Sequence, residues 1–461
     1  MIGTTDTAGQ AQGEDRARRK RILGWYFFDW ASQPYNTLLL TFIFAPYVKD
    51  ILGDGTAAQA AWGYGVGTAG LLIALCAPLL GSVADRCGPL MRLRFIWVFS
   101  ALYVIGAAGL WVATPEAPRL VLTLVFFGVG LIGMEMATIF TNAMMPDLGP
   151  RAAIGRISGT GWAFGYLGGL VALVLVLLLL AETGPDGRTL LGIPPILGLD
   201  PTAREGTRAT GPFTALWYVV FMVPFVLWVR EVPPRAGVRL RDAARQAWPD
   251  LRTALRALPG RPSLTAFLAA SMLYRDALNG IYFFGGIYAA GVLGWSVVDV
   301  GVFGILAVIA AAAAAWGGGF ADARYGPKPV IALSILALIA VTLAVVFIAR
   351  DSVLGIPVGA DSPVPDIAFY AAGVVIGAAG GALQAASRAM LVHQADPARM
   401  TQGFGLYAMA GKATAFVAPL SVAIVTDLSG SQQTGILPLL VLFTGGLILL
   451  GWVRPEGDRT P

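Results

Sequence analysis

The sequence predicts an all-α membrane protein of twelve transmembrane helices, arranged as two pseudo-symmetric six-helix bundles. Three observations support this fold class. Of the 461 residues, 56% are hydrophobic and only 13% are charged, whereas soluble domains carry about 25% charged residues. Apolar stretches of about 20 residues, long enough to cross a bilayer, recur along the whole chain. Motifs of the first half also reappear in the second half, and such internal duplication is typical of transporters.

Twelve apolar stretches are long enough to serve as spans. They are 23–49, 61–83, 95–113, 119–144, 157–180, 213–230, 264–290, 298–320, 329–349, 366–391, 402–425 and 434–453. The spans divide the chain into segments. We expect a disordered cytoplasmic tail over 1–22, an N-terminal bundle over 23–230, a cytoplasmic linker over 231–262, a C-terminal bundle over 263–453 and a cytoplasmic tail over 454–461.

Basic residues predict the orientation of the spans. Most of the 32 Lys and Arg residues fall in the tails and loops on one side, and cytoplasmic loops retain positive charge. Both termini are therefore expected to be cytoplasmic, in a cell inner (plasma) membrane. Because these residues are spread over many loops rather than one patch, the net charge of +5 does not indicate nucleic-acid binding. Arg and apolar residues alternate along the linker 231–262, which predicts an amphipathic segment.

Each half carries a similar short motif after its second span. The first motif contains Gly81, Asp85, Arg86 and Gly88, and the second contains Asp322 and Arg324. The first motif resembles the signature loop of the major facilitator superfamily, G-x-x-x-D-R-x-G followed by basic residues, although Pro89 and Leu90 stand where the superfamily often has basic residues. The resemblance implies a conformational latch, with Asp85 facing a helix N-terminus and Arg86 an acidic partner. A tight basic turn without a latch function is the alternative.

Three longer segments resemble one branch of that superfamily, the vacuole-effluxer-like family. They are Gly24–Tyr35, Asn142–Leu148 and Ser158–Gly169, and the resemblance extends over nearly the whole chain. Eukaryotic members of this branch export amino acids from the vacuole. The resemblance implies the major facilitator fold and a small polar solute, with amino acids as one candidate class.

Polar residues inside the first and fourth spans are candidates for a solute and ion pathway, because a charge within hydrocarbon costs at least about 2.5 kcal/mol. Asp29, Gln33 and Asn36 share one face of the first span at helical spacing. Glu135 in the fourth span, with Asn142 below it, is a candidate proton carrier. A structural ion pair with a basic residue of another span is an equally good explanation of Glu135.

The seventh span carries Arg275 and Asp276 near the middle of the bilayer, and Arg275 shares a face with Asn279. Arg275 is a candidate to bind a substrate carboxylate, and Asp276 to carry a proton or to pair internally. The alternative is a buried salt bridge that only holds helices together. Lys412 in the eleventh span is a candidate counter-ion or ligand, and Gln384 in the tenth span lines the same predicted pathway.

Two further features of the spans have mainly structural interpretations. Arg388, one turn after Gln384, lies near the cytoplasmic end of its span, where snorkelling or a gate contact is expected. A glycine-rich run in the fifth span has the small-residue spacing that lets helices approach closely, and its members are Gly159, Gly161, Gly165, Gly168 and Gly169.

The sequence lacks the residue patterns of an enzyme. It has one His and two separated Cys residues, and it contains neither a Gly-x-Ser-x-Gly motif nor a phosphate-binding Gly-x-x-x-x-Gly-Lys-Ser/Thr motif. We therefore expect no enzymatic activity, no metal site and no cofactor. The prediction is a monomeric secondary transporter that works by alternating access, with a small solute, protons and the lipid bilayer as partners. A non-transporting membrane sensor or receptor with the same fold is the alternative.

Overall fold

The computed structural model describes residues 5–52, 55–116, 119–183, 186–231, 238–295, 297–359 and 361–458. Parts of the predicted tails (1–4 and 459–461) and of the linker (232–237) lie outside the described residues. The chain divides into two compact units. Unit 1 comprises the described residues within 1–76, 83–148 and 164–243, and unit 2 those within 77–82, 149–163 and 244–461.

The first part of the chain, up to the linker, is mainly helical over its predicted spans. Its helices are α1 (Thr5–Pro34), a π-helix (Tyr35–Phe42), α2 (Phe44–Leu52), α3 (Gly55–Cys87), α4 (Pro89–Gly109), α5 (Leu120–Asn142), α6 (Arg151–Leu179), α7 (Glu205–Arg208), α8 (Thr210–Phe221) and α9 (Val223–Trp228). Single 3₁₀ turns cover Leu110–Val112, Met145–Asp147 and Ile196–Gly198.

The second part begins with the linker helix. Its helices are α10 (Leu240–Ala257), α11 (Pro262–Val292), α12 (Val297–Tyr325), α13 (Pro327–Val346), α14 (Val364–Gln394), α15 (Met400–Ala413), α16 (Val417–Ser429), α17 (Gln432–Gly435) and α18 (Leu437–Leu450), with 3₁₀ turns at Leu258–Gly260 and Pro397–Arg399. Three short strands, β1 (Ile348–Ala349), β2 (Ser352–Val353) and β3 (Ile356–Pro357), form an antiparallel sheet in which Ile348 faces Val353 and Ser352 faces Pro357.

Ten helical segments of the described residues are long and apolar enough to cross a membrane. They correspond to ten of the twelve predicted spans. The other two predicted spans, 23–49 and 264–290, are also helical. Both carry polar and charged residues in their middle, which lowers their mean hydropathy. The total of twelve spans therefore stays a prediction.

The π-helix of unit 1 begins directly after Pro34, the last residue of α1. Proline has no N–H group, so the carbonyl oxygen four residues earlier, that of Trp30, loses its helical partner. The indole Nε1 of Trp217 in α8 donates a hydrogen bond to this oxygen at 3.2 Å. The two indole rings also stack, with centroids 6.0 Å apart. The irregular backbone is thus tolerated because a neighbouring helix supplies the missing donor.

The ends of the chain are more ordered than the sequence predicts. The predicted disordered tail 1–22 is helical from Thr5 onward as part of α1, and Asp15 and Arg19 form an i, i+4 ion pair at 3.0 Å. Near the C-terminus, the Asp458 carboxylate accepts hydrogen bonds from the backbone N–H groups of Ser263 and Leu264 at 2.8 and 3.0 Å. A carboxylate at this position satisfies the free donors of the first turn of α11.

The loop between α6 and α7 also has a defined structure within its described residues. The Glu182 carboxylate accepts hydrogen bonds from the N–H groups of Gly206 and Thr207, each at 2.8 Å. Arg208 lies against the Trp111 ring at 4.4 Å from the centroid and donates to the Trp111 carbonyl at 2.7 Å. These contacts anchor both ends of the loop to unit 1.

Candidate substrate and ion pathway

Asp29, Gln33 and Asn36 of the first predicted span, which we call the polar stripe, lie on α1 and the π-helix, which pack beside α5 in unit 1. The Trp25 indole donates to the Thr141 carbonyl at 2.8 Å, and the Tyr35 hydroxyl donates to the Phe127 carbonyl at 2.6 Å. These two bonds hold α1 and the π-helix along α5, which carries Glu135 and Asn142. The predicted residues Asp29, Gln33, Asn36, Glu135 and Asn142 are all half-buried.

Glycines of α6 let this stripe approach closely. A Cβ atom on Gly169 would lie 3.0 Å from Cγ of Gln33, and one on Gly168 would lie 2.6 Å from the Trp30 carbonyl oxygen. Asn36, in the π-helix, donates a weak hydrogen bond to the sulfur of Met134 at 3.9 Å. The small residues therefore serve close packing of α6 against the stripe-bearing helix, as their spacing predicts.

Arg275 of α11 is held in unit 2 by backbone and ring contacts from α15. Its guanidinium carbon lies 4.2 Å from the centroid of the Tyr407 ring, and its Nη1 donates to the Tyr407 carbonyl at 3.2 Å. Gly411 makes room for it, because a Cβ atom there would lie 2.6 Å from Nη1. Lys412, half-buried, follows directly in the chain. Two of the predicted cations thus lie at the same end of α15.

Asp276, the next residue of α11, contacts a break between α15 and α16. Helix α15 ends at Ala413 and α16 begins at Val417. Pro419 in the first turn of α16 cannot donate a backbone hydrogen bond, which favours an interruption here. The Asp276 carboxylate oxygen Oδ2 accepts a hydrogen bond from the Ala418 N–H at 2.9 Å, and Asp276 is 2% exposed. A carboxylate is favoured at such a helix N-terminus.

Among the described residues, Arg275 and Asp276 form no ion pair with each other or with any other side chain. Oδ1 of Asp276 is buried and has no hydrogen-bond partner in the described part of the chain. The alternative expectation, a buried salt bridge, is therefore not observed for these two residues in the described part of the chain. Both charges are stabilised by backbone groups and a ring face, which leaves hydrogen-bonding capacity for a bound solute or proton.

The remaining predicted residues of the second half occupy α11 and α14. Asn279, one turn after Arg275, is exposed. Tyr282 lies across α14, since a Cβ atom on Gly380 would clash with its hydroxyl oxygen. Gln384, half-buried, is one turn further along α14. Tyr282 therefore connects the polar face of α11 to the part of α14 that carries Gln384.

Of the two roles expected for Arg388, snorkelling is wrong, and a gate contact stays a prediction. Arg388 is 4% exposed rather than snorkelling, and its Nε and Nη2 donate to the hydroxyl and carbonyl oxygens of Ser158, at 2.9 and 2.6 Å. The Ser158 hydroxyl in turn donates to the Ala385 carbonyl at 2.7 Å, and the guanidinium lies 5.5 Å from the Trp162 ring centroid. Ser158 and Trp162 belong to the segment Ser158–Gly169 that resembles the vacuole-effluxer-like family, but nothing in the sequence spacing pairs them with Arg388.

The predicted latch residues of the first half fall in both units. Gly81, in unit 2, packs closely on α15, since a Cβ atom there would lie 2.7 Å from the Thr401 carbonyl oxygen. In unit 1, Asp85 is half-buried and Arg86 is exposed. The proposed helix-terminus contact of Asp85 stays a prediction.

In the second half, Asp322 is buried against the first turns of α6, where a Cβ atom on Gly155 would clash with its carboxyl carbon. Arg324 is exposed and stacks on Tyr325. The carboxylate of the second motif thus lies beside the N-terminal turns of a helix, as the resemblance implies for Asp85 in the first motif.

Gly88 and Gly326 show why both motifs end in Gly-Pro. Their backbone angles are φ 88°, ψ −177° and φ 82°, ψ 164°, a region that residues with a Cβ atom essentially avoid. Each glycine precedes a proline at the first position of the next helix, α4 or α13, where the fixed φ of proline is favourable. The two turns are therefore built in the same way in the two halves.

Solved structures share this helical arrangement. The human organic anion transporter MFSD10 (TETRAN) matches with a TM-score of 0.67 at 15% identity, over 94% of this chain and 99% of that one. The major facilitator superfamily transporter FucP, in its outward conformation, matches with a TM-score of 0.66 at 16% identity, over 94% and 98%. These similarities establish the major facilitator fold and confirm the predicted all-α membrane fold class, whereas the count of twelve helices stays a prediction.

Sequence comparisons define the branch. An uncharacterized MFS-type transporter, YxiO of Bacillus subtilis, is 23% identical over 449 residues, or 95% of each chain. Autophagy-related protein 22 of Cryptococcus neoformans is 26% identical over 310 residues. Those residues are 66% of this chain but 51% of that relative, so the match covers about half of the fungal protein. The family model "Vacuole effluxer Atg22 like" matches residues 48–459, and the chain belongs to this family. It is a multi-pass membrane transporter of the major facilitator superfamily and not an enzyme.

Proposed function

We propose that this transporter moves a small zwitterionic solute, with amino acids as the class to test first, by alternating access between its two predicted bundles. The observation that carries the proposal is Arg275, a cation within a predicted membrane span that has no carboxylate partner among the described residues. Its guanidinium is positioned by Tyr407 and Gly411. A planar guanidinium recognises a carboxylate through two parallel hydrogen bonds, which suits the common group of all amino acids.

Proton coupling through Asp276 is the second part of the proposal. The Asp276 carboxylate accepts a hydrogen bond from the Ala418 N–H at the start of α16. In its ionised form the carboxylate is also stabilised by the partial positive charge of the helix N-terminus. Protonation of Asp276 removes its charge and weakens this hydrogen bond. Binding or release of a proton would therefore change the backbone geometry at the break between α15 and α16. The charged groups nearest along the same elements are Arg275 and Lys412. Asp29 and Glu135 are the other candidate proton carriers.

The proposed setting is a cell inner (plasma) membrane, with both termini on the cytoplasmic side and the protein acting as a monomer. The excess of Lys and Arg in the loops on the side of the termini supports this orientation. The family description as vacuole effluxers supports export as the direction of net transport.

Reconstituted protein in liposomes tests the proposal directly. Uptake of a panel of amino acids is measured with and without a pH gradient, for the wild type and for Asp29→Asn, Glu135→Gln and Asp276→Asn. We expect Asp276→Asn to lose stimulation by the gradient while keeping solute exchange, because exchange needs no net proton movement. Unchanged pH-driven uptake in all three variants would contradict proton coupling. Absence of uptake for every amino acid would contradict the proposed solute class.

A further inference from the structure

The linker helix α10 has two different faces. Ala243, Ala247 and Leu251 follow each other at four-residue spacing and are buried. Asp250 lies on this side as well, and its carboxylate accepts a hydrogen bond from the Ser82 hydroxyl at 2.6 Å. This side of the helix is therefore the one packed against the protein.

The other side of α10 combines exposed apolar and basic side chains. Trp248 is 66% exposed and Leu255 is 40% exposed, and a rotation of about 100° per residue places them within about 20° of each other. Arg245, Arg252 and Arg256 are exposed and form the neighbouring row. We call these five residues the Arg–Trp face. Asp250 does not neutralise this face because it is turned towards Ser82.

Two constraints keep this face close to a membrane surface. Only residues 258–261 separate the end of α10 from the first residue of α11, and the five backbone steps from 257 to 262 reach at most about 18 Å. The Thr265 hydroxyl also donates to the Leu258 carbonyl at 2.6 Å, which tightens this connection. In the middle of α10, Asp250 is tied to Ser82, five residues before the end of the candidate span Ala61–Cys87. The helix is thus anchored near the end of one candidate membrane span, in α3, and near the start of one predicted span, in α11.

We propose that the Arg–Trp face binds anionic lipid headgroups in the leaflet on the side of the linker. Guanidinium groups match the geometry of phosphate oxygens, and Trp and Leu side chains favour the boundary between headgroups and acyl chains. An acidic protein would satisfy the arginines alone, whereas the adjacent Trp248 and Leu255 suit a surface that is both anionic and apolar. This inference concerns the linker and does not depend on the transported solute.

Spin labels on the full-length protein test where this face lies. Cys76 and Cys87 are replaced by Ser, and a single Cys is introduced at Trp248 or, as a matched exposed control on the opposite flank of α10, at Gln246. Labelled protein is placed in nanodiscs of phosphatidylcholine with or without phosphatidylglycerol. We expect phosphatidylglycerol to lower the access of a water-soluble nickel reagent to the label at 248 and to raise the access of oxygen. The label at 246 should not change.

Arginine variants test the anionic component. Each Arg near an anionic surface contributes about fivefold to binding, so Arg245→Gln, Arg252→Gln and Arg256→Gln together should weaken phosphatidylglycerol binding on the order of a hundredfold. A charge-matched control replaces Arg16, Arg19 and Lys20 of α1, and it should keep the affinity. High salt should weaken wild-type binding because it screens charges.

Two results would overturn the proposal. The first is a label at 248 that stays equally accessible to the nickel reagent in both kinds of nanodisc. The second is a label that becomes shielded only after a soluble protein fraction is added, since this would assign the face to a protein partner. Circular dichroism of the triple variant separates loss of binding from loss of the helix, because all three arginines are exposed and Gln preserves helix propensity.

Discussion

Unit 1 and unit 2 each contain a break in a helix where one backbone group loses its helical partner. In both units a side chain of another helix satisfies that group, but the two side chains differ in chemistry. In unit 1 the break after Pro34 frees the Trp30 carbonyl, and the neutral indole of Trp217 satisfies it. In unit 2 the break between α15 and α16 frees the Ala418 N–H, and the charged group of Asp276 satisfies it. Both units therefore contain a broken helix, within a predicted span, that is repaired by a side chain, but only the second repair places a titratable group at the break.

This comparison separates a structural role from a functional one. A neutral repair fixes the backbone and has no charge to exchange with a solute or a proton. A carboxylate repair, next to Arg275, couples backbone geometry to charge. We therefore expect changes near Arg275 and Asp276 to affect mainly transport, and changes near Trp30 and Trp217 to affect mainly stability.

The largest effect is expected for Arg275→Gln. Truncating one partner of a buried charge contact costs about 2–5 kcal/mol, so transport efficiency should fall on the order of a hundredfold. Arg275→Lys keeps the charge but loses the bidentate geometry, and it should be intermediate. Initial rates of uptake into proteoliposomes over a range of solute concentrations provide the measurement. A normal apparent affinity in Arg275→Gln would show that the guanidinium does not bind the solute.

Gly411→Ala should have the next largest effect. The added Cβ atom would lie 2.6 Å from Nη1 of Arg275, so the guanidinium must move away from its position beside Tyr407. We expect roughly tenfold weaker transport at nearly normal expression. Gly317→Ala in α12 is the matched control, because nothing lies within 4 Å of its added Cβ atom. Equal behaviour of the two variants would show that the position of Arg275 does not matter.

Trp217→Phe tests the neutral repair. It leaves the Trp30 carbonyl without its donor, and a buried unsatisfied acceptor costs about 1–3 kcal/mol. A lower melting temperature with preserved transport per folded molecule is expected. Trp316→Phe, in which the replaced side chain is 54% exposed, should change neither quantity. Loss of transport in Trp217→Phe without loss of stability would remove the distinction between the two units.

Much of the fold could be predicted from the sequence because it depends on local composition. Apolar runs predict most of the spans, and the Gly-Pro pairs at 88–89 and 326–327 predict equivalent turns because only glycine tolerates those backbone angles. The helical N-terminal extension was missed because its polar composition also suits disorder. The single predicted span 402–425 likewise hides the break between α15 and α16, although Pro419 was a local signal for it.

The candidate site could be predicted only as a set of residue types. Depth within a span identifies Arg275 and Asp276 as unusual, but it does not tell which groups they contact. Their actual partners are backbone atoms of Tyr407 and Ala418, more than 130 residues away in the sequence. Residue identity does not reveal backbone partners. The contact of Arg388 with Ser158 was missed because the two residues lie 230 positions apart in the sequence.

Unit 1 also contains a carboxylate, that of Glu231, whose partners are the positively charged side chains of Arg21 and Arg92. Glu231 accepts from Nη2 of Arg21 at 3.1 Å, and Nη2 of Arg92 lies 4.0 Å away. Arg92 also binds Asp147 at 2.9 Å. Burial raises the pKa of Glu231 above its usual value, and this effect exceeds the opposing influence of Arg92 and Arg21. Unlike Asp276, this carboxylate has cationic side chains as its partners.

The smallest predicted effect follows from that raised pKa. The folded state binds the proton of Glu231 more tightly than the unfolded chain does, so its stabilising contribution is complete below the usual pKa of 4.5 and is lost as the pH rises through the higher value of the folded state. Glu231→Gln should remove this pH dependence. Melting temperatures of the wild type, Glu231→Gln and the exposed control Glu456→Gln between acidic and neutral pH provide the measurement. If the wild type instead gains stability from this site as the pH rises, the arginines outweigh burial, and Glu231 is stabilised as an ordinary ion pair.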